Sequence, residues 1–462
     1  MKQVYFVGIG GIGMAALARY FMAQGYPVAG YDRTPSALTS SLIEEGAQIT
    51  FTDNVDEIPS LFTDKAETLV VYTPAIPHDN KILSFFRDGG FDLHKRSEVL
   101  GLITRSSRGI CFAGTHGKTT TSSMAAHVLH TCSVGCNAFL GGILRNYNSN
   151  LLLSETSPYS VIEADEYDRS FHRLSPYIAV ITATDPDHLD IYGTEEAYLE
   201  GFAHFTELIQ PGGALVIHEG LKLIPRPPKG VKVYTYSRDK GDFHACNIVR
   251  GNGTIKFDFV GPDCEIKDIE LGVPVEINIE NAIASLAACY LTGDLEPDKA
   301  REAMRSFMGP KRRFEFRLKE DFPGGKVIID DYAHHPDELK ASIQSVKALY
   351  PDRKLTVAFQ PHLYTRTRDF APEFAEALSH ADEVVLLDIY PAREEPIPGV
   401  TSAIIFDKIN LPRKVMIFKE NLVETMKNLN FEVLLTAGAG DIELELPALV
   451  AEFGTKKKDN QS

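Results

Sequence analysis

Ala113-Gly114-Thr115-His116-Gly117-Lys118-Thr119-Thr120-Thr121 is the stretch whose reading decides the fold. The apolar run Ile110 to Phe112 before it reads as a buried strand. After it, Met124, Ala125, Val128 and Leu129 recur at helical spacing, which predicts a helix from Thr120 to His130. Strand, glycine turn, Lys-Thr and helix is the context of a phosphate-binding loop. The glycines let backbone N–H groups converge, and the helix N-terminus adds partial positive charge. Lys118 would reach the outer phosphates, and Thr119 would offer its hydroxyl to Mg²⁺. Phe112 stands where the longer form of the loop has its first glycine, so this is the short form Gly114-x-x-Gly117-Lys118-Thr119. A glycine turn feeding an ordinary helix is the plainer alternative, and it leaves the Lys-Thr pair unexplained.

Working outward, composition sets bounds. The chain has 462 residues, enough for about three domains. A hydrophobic fraction of 44% with 24% charged residues is that of a soluble globular protein. The net charge of −16 argues against non-specific binding to nucleic acid or to an anionic membrane. The six cysteines show no Cys-x-x-Cys pair, which suits reduced, mostly buried thiols in the cytoplasm. No run of about 18 apolar residues predicts a membrane span. Glycines interrupt the apolar N-terminus, so it reads as strand, turn and helix rather than a signal peptide.

Before the phosphate loop, Val4 to Val7 reads as a strand and Met14 to Met22 as a helix. Between them, Gly8-Ile9-Gly10-Gly11-Ile12-Gly13 matches G-x-G-x-x-G. Asp32 ends a second strand and by motif alone would sit on a ribose hydroxyl. Thr73 follows the strand Thr68 to Tyr72. Residues 1–107 are predicted to form a small Rossmann-like α/β domain that binds a nucleotide or its diphosphate.

Residues 108–310 are predicted to form a central α/β domain around the phosphate loop. Glu163-Ala164-Asp165-Glu166-Tyr167-Asp168 ends a strand with four acids in six residues, which reads as the Mg²⁺-holding cluster of a nucleotide triphosphatase. A solvated turn is the alternative. Asp187-His188 follows another strand, and His188 could ligate a metal or orient phosphate. Asn281, near the start of a helix, could read an adenine edge or cap the helix. Residues 231–275 carry short β-like runs and Gly-Asn-Gly at 251–253, consistent with a hairpin-bearing insert.

Gly309-Pro310 marks a break, and Lys311-Arg312-Arg313 follows as a hinge whose arginine meets phosphate. Residues 311–462 again alternate strand and helix. Asp330-Asp331-Tyr332-Ala333-His334-His335-Pro336, Gln360-Pro361-His362 and Thr365-Arg366 stand at strand ends, where an open α/β sheet keeps its ligand. These side chains suit an anionic, amino-acid-like substrate. The tail from Gly454 is predicted to be disordered.

Taken together and in this order, the two glycine loops, Glu163 to Glu166, Asp187-His188, Arg312-Arg313-Phe314, the Asp330 to Pro336 segment and Phe359 to His362 resemble the Mur ligase family over nearly the whole chain. The resemblance is nearest to the branch that joins L-alanine to UDP-N-acetylmuramate. It implies a cytoplasmic enzyme of peptidoglycan synthesis, a monomer or weak homodimer, that consumes ATP with Mg²⁺ and passes through an acyl phosphate. It implies that Gly114, Thr115, His116, Gly117, Lys118, Thr119, Thr120 and Asn281 bind ATP, joined by Arg312 or Arg313. It implies that Thr119, Glu166 and His188 hold metal. Gly8, Gly10, Gly11, Ile12, Gly13, Asp32 and Thr73 would hold the UDP-sugar, and Tyr332, His334, His362 and Arg366 the amino acid. Many relatives have Arg where this chain has Leu363, and His where it has Glu280. Three other readings stand beside this one. They are a ligase that recycles a preformed tripeptide onto the same sugar nucleotide, an NAD-dependent oxidoreductase resting on Gly8 to Gly13 alone, and a non-catalytic nucleotide-binding regulator.

Overall fold

Continuous apolar strands separated by amphipathic helices require parallel sheets covered on both faces. The chain builds three such sheets in the computed structural model, which describes residues 2–187, 189–251, 253–320, 324–392 and 394–454. The first has five parallel strands in the order Gln48–Thr50, Val28–Tyr31, Gln3–Val7, Thr68–Tyr72, Asp92–Lys95. Gln3–Val7 is buried throughout because both its neighbours and both faces are covered. The order reverses between Gln3–Val7 and Thr68–Tyr72, and Gly8 and Thr73 follow those two strands. A crevice at such a switch point is where an open α/β sheet binds its ligand.

The second sheet has seven strands, ordered Lys232–Tyr236, Ala214–His218, Ile178–Ile181, Arg108–Ala113, Tyr159–Glu163, Asn137–Leu144, Ser149–Leu152. Only the last pair is antiparallel. The phosphate-loop strand Arg108–Ala113 lies between Ile178–Ile181 and Tyr159–Glu163, so the acidic run and the Asp185–Asp187 segment emerge on either side of it. A separate three-stranded sheet, His244–Gly251, Thr254–Gly261 and Cys264–Glu270, forms the insert. The third large sheet has six strands, with Glu315–Lys319 antiparallel at one edge and Val433–Ala437 and Leu355–Phe359 central. Contacts divide the chain into two dense units, one of residues 1–247, 257–269 and 277–307 and the other of 248–256, 270–276 and 308–462.

Most expected elements form within a few residues of their anticipated ends. The expected helix at Thr120 begins two residues earlier and runs Lys118–Thr131. Short edge strands such as Lys414–Ile417 and the hairpin at Asn137–Leu152 carry too little alternation to be read from sequence. Cys111, Cys132, Cys136 and Cys289 are buried free thiols. Among the described residues no helix is long and apolar enough to cross a membrane. The tail after Gly454 lies outside the described residues, as does Asn252.

Leu434 is fully buried in the central strand Val433–Ala437 and packs in the core of the second unit. Leu434→Ala is expected to cost that unit about 2–5 kcal/mol, from lost burial plus the cavity left behind. Urea unfolding followed by circular dichroism measures it, and a cost near zero would mean the site collapses freely.

Candidate active site

The phosphate loop is shaped by residues that leave no room for β-carbons. Gly114 has φ +140°, and a β-carbon there would collide with Thr182 Oγ1. Gly117 has φ +82°, and its β-carbon would lie 2.9 Å from Asn281 Oδ1. Both positions therefore require glycine. The loop is pinned to the neighbouring strand's exit: Thr115 N donates to Ala183 O (3.1 Å) and Thr182 Oγ1 donates to His116 O (2.5 Å). His116 itself is exposed. The helix Lys118–Thr131 starts directly after Gly117 with no side-chain cap and no acid in its first turn, so its leading amides remain available to an anion. Thr120 lies half-buried on that first turn.

Lys118 Nζ donates to Gly114 O at 2.7 Å and lies 2.8 Å from Glu166. Glu166 is only 1% exposed, and a carboxylate so buried needs a matched cation. Glu163 comes from the adjacent strand, in register with Phe112. Burial raises the pKa of its carboxyl, while a hydrogen bond from Thr119 and the Lys118 charge pull the other way. Gly141 N donates to it at 3.2 Å, and a β-carbon on Gly141 would collide with the same carboxylate. The sequence reading gave Thr119 and Glu166 to the metal. The structure joins Thr119 to Glu163, which that reading placed in the Mg²⁺-holding cluster without singling it out, and sets Glu166 against Lys118. The signal for Glu163 was its place as the last residue of a strand beside the loop strand. A hydroxyl and two carboxylates are hard oxygen donors and fit a divalent cation such as Mg²⁺. His188 lies outside the described residues. Asn281 accepts from Thr121 Oγ1 (3.1 Å) and donates to Asn278 Oδ1 (3.0 Å), so it braces the loop from behind.

At the first glycine loop, Gly8 has φ +92° and a β-carbon there would lie 2.6 Å from Thr73 Cγ2. Asp32 accepts from Gly10 N at 2.7 Å, so its carboxylate holds the loop's own backbone. Gly11 precedes the helix Ile12–Ala23, which again starts without a side-chain cap or acid. Gly13 leaves room for the Arg96 guanidinium, which would collide with a β-carbon. Arg96 Nη2 lies 4.0 Å from Asp165 Oδ2. Sequence reading missed Arg96 because only the fold brings the helix Arg96–Ser106 to this loop.

The second unit gathers the remaining residues. Arg312, with φ +58°, places Nε 3.3 Å from the fully buried Asp330 and donates to Gly438 O (2.6 Å) and Gly440 O (3.3 Å). Arg313 is exposed and lies 5.7 Å from the Tyr332 ring centroid. His334 Nδ1 is 2.9 Å from Tyr332 O, and its ring is 6.2 Å from that of His362. Arg366 Nη1 is 3.4 Å from His362 Nδ1. Burial lowers the pKa of both histidines, Arg366 adds to the effect on each, and His334 pushes His362 down further. Burial raises Asp331 to about 6, against the opposing pull of Ser342, Arg313 and the Phe314 amide. Leu363 is left-handed with φ +69°.

Three family descriptions match in succession. Residues 3–108 match the Mur ligase family, catalytic domain; 112–289 the Mur ligase middle domain; and 312–446 the Mur ligase, glutamate ligase domain. The chain belongs to the Mur ligase family. It is 58% identical over 457 residues to the UDP-N-acetylmuramate–L-alanine ligase of Phocaeicola vulgatus, covering 99% of each chain. It is 51% identical to the same-named protein of Porphyromonas gingivalis, covering 96% of this chain and 97% of that one. Among solved structures, UDP-N-acetylmuramate-alanine ligase of Thermotoga maritima superposes with TM-score 0.78 at 27% identity, covering 98% and 99%. A murein peptide ligase of Psychrobacter arcticus shares the fold, with TM-score 0.62 at 20% identity, covering 99% of each chain. The three-domain architecture of the Mur ligases is thus the architecture of this chain.

In this Mur ligase the tight turn at Gly114 carries a testable cost. Gly114→Ala forces a β-carbon onto Thr182 and a strained φ, and is expected to weaken nucleotide binding on the order of tenfold or more. Calorimetric titration with ADP reads this; unaltered affinity would mean that the loop relaxes without loss.

Proposed function

We propose that the chain joins L-alanine to the lactyl carboxylate of UDP-N-acetylmuramate while converting ATP to ADP and phosphate, in the cytoplasm, as a monomer or weak homodimer. One observation carries the reading: a Lys118–Glu166 pair buried under a glycine cradle, in a chain 58% identical end to end to a ligase of that name. The three sheets support domain limits at 1–107, 108–310 and 311–462.

A carboxylate does not acylate an amine unaided, because its leaving group would be an oxide. The lactyl oxygen attacks the γ-phosphorus of ATP and the bond to the β,γ-bridging oxygen breaks, releasing ADP. Lys118, the loop amides at Gly114 to Thr119 and the helix N-terminus oppose the charge that moves. Mg²⁺, held by Thr119 with the Glu163 and Glu166 carboxylates, would neutralise the phosphate oxygens. The alanine amine then adds to the acyl carbonyl, phosphate leaves with the C–O bond, and the nitrogen gives up a proton. Neutral His334 and His362 are suited to accept it, and Arg366 to hold the amino acid's carboxylate in place of the arginine missing at Leu363. Arg313 is the better phosphate partner of the basic pair, since Arg312 is tied to Asp330, Gly438 and Gly440. Arg96 beside Gly13 supports the first loop as the diphosphate site.

The deciding experiment is phosphate release with UDP-N-acetylmuramate, Mg²⁺ and ATP, given L-alanine or the cell-wall tripeptide. Release is expected with alanine and to vanish in Lys118→Ala, which should still bind the sugar nucleotide. Preference for tripeptide would instead favour the recycling ligase. A second expectation concerns pH. Because burial lowers His334, its neutral form persists below the ordinary histidine value of about 6.5. Activity should therefore hold through neutral pH and fall only below that value, and His334→Gln should move or remove this acid limb of kcat/KM. An acid limb that stays in place in the variant would exclude His334 as its source.

A further inference from the structure

Two buried tyrosines stand behind the phosphate loop and have no part in the reading above. Tyr198, in the helix Glu195–Glu207, is 0% exposed, and its hydroxyl lies 2.9 Å from Thr115 Oγ1. The Thr115 hydroxyl lies 2.7 Å from the carbonyl oxygen of Asp185. A carbonyl only accepts, so the single proton of Thr115 goes to Asp185. Tyr198 must then be the donor to Thr115. Burial raises its pKa, and the Glu166 and Asp187 charges raise it further, which keeps that proton in place. Tyr192 meets Tyr198 edge-on, with ring centroids 4.9 Å apart, and its own hydroxyl donates to the backbone carbonyl of Glu166 at 2.7 Å. The two rings thus hold both sides of the Lys118–Glu166 pair, one through the loop and one through the acidic strand end.

The peg extends further. The Arg169 guanidinium covers the Tyr192 ring at 4.8 Å. Arg169 and Asp168 are consecutive left-handed residues, with φ +53° and +51°. Neither is glycine, and such a conformation persists only where the surroundings hold it. Part of that hold is Lys95 Nζ, 3.1 Å from the Asp168 carboxylate. Lys95 belongs to the first sheet's last strand, so the sugar-nucleotide domain and the phosphate loop both connect to one edge-to-face pair of rings.

We propose that Tyr198 is a positioning residue for ATP, aligning the phosphate loop through Thr115, with Tyr192 performing the same service for Glu166. The proposal rests on the ligase reading. It also explains why a fully buried helix face spends a hydroxyl, where phenylalanine would pack as well.

The test is Tyr198→Phe, which keeps the ring and removes the donor. KM for ATP and the Kd for ADP are expected to rise about three- to tenfold, as the loss of one hydrogen bond dictates. KM for alanine and for the sugar nucleotide should stay put. In a double-mutant cycle with Thr115→Val, which also loses the bond to Asp185, Tyr198→Phe should add nothing once residue 115 is valine, since the hydroxyl it served is gone. Unchanged ADP affinity in Tyr198→Phe, or full additivity in the cycle, overturns the proposal. If Tyr198→Phe does not fold, Tyr192→Phe takes its place, with kcat expected to fall at unchanged KM for alanine; wild-type kcat would overturn the Tyr192 half. ADP binding by calorimetry needs neither alanine nor muramate. An error in the choice of substrates would therefore show in the wild-type turnover assay and leave the tyrosine result standing.

Discussion

A carboxylate removed from water must find a cation, and at Glu166 the cation is Lys118. The isolated cost of burying either charge is several kcal/mol, and bringing the two together offsets it. Their meeting fixes much else. It demands that the acidic strand end lie beside the loop strand, which the parallel register of Arg108–Ala113 with Tyr159–Glu163 provides. It demands a turn tight enough to swing Lys118 back over Gly114, which only glycine allows. It leaves the lysine poised on an acid, in a place where a phosphate of greater charge can compete for it.

The second carboxylate gives the site its asymmetry. Glu166 is compensated by a lysine within hydrogen-bonding reach. Glu163 accepts from the Thr119 hydroxyl and the Gly141 amide, feels the Lys118 charge from farther off, and burial raises its affinity for a proton. An acid that would take up a proton for want of charge is an acid that would accept a metal in its place. The split follows from strand geometry, since one carboxylate ends the strand and the other lies three residues on.

Much of this was legible in the chain. The helix after Gly117, the strands with apolar runs and the three-part alternation follow from local pattern, and parallel sheets amplify such patterns because both faces are buried. The glycine at 117 and the lysine at 118 announce themselves by position alone. Arg96 does not, because its role comes from a contact across dozens of residues that no spacing rule encodes, and which acid of the Glu163 to Asp168 run meets Thr119 is likewise visible only in the fold. Arg312 and Arg313 look equivalent in sequence. Buried Asp330 and the carbonyls of Gly438 and Gly440, the last two more than a hundred residues away, separate them. Tyr192 and Tyr198 read as ordinary core aromatics, and their hydroxyl partners become visible only in three dimensions.

Arg96 lies where the β-carbon of residue 13 would be. Neither position can drift alone. A lineage that acquires alanine at 13 must first shorten or redirect its arginine, and one that loses the arginine frees 13 to vary. The two sites, in separate helices and more than eighty residues apart, are therefore bound into a single unit of inheritance, and their joint variation across descendants would record how long the guanidinium has occupied the space that glycine leaves.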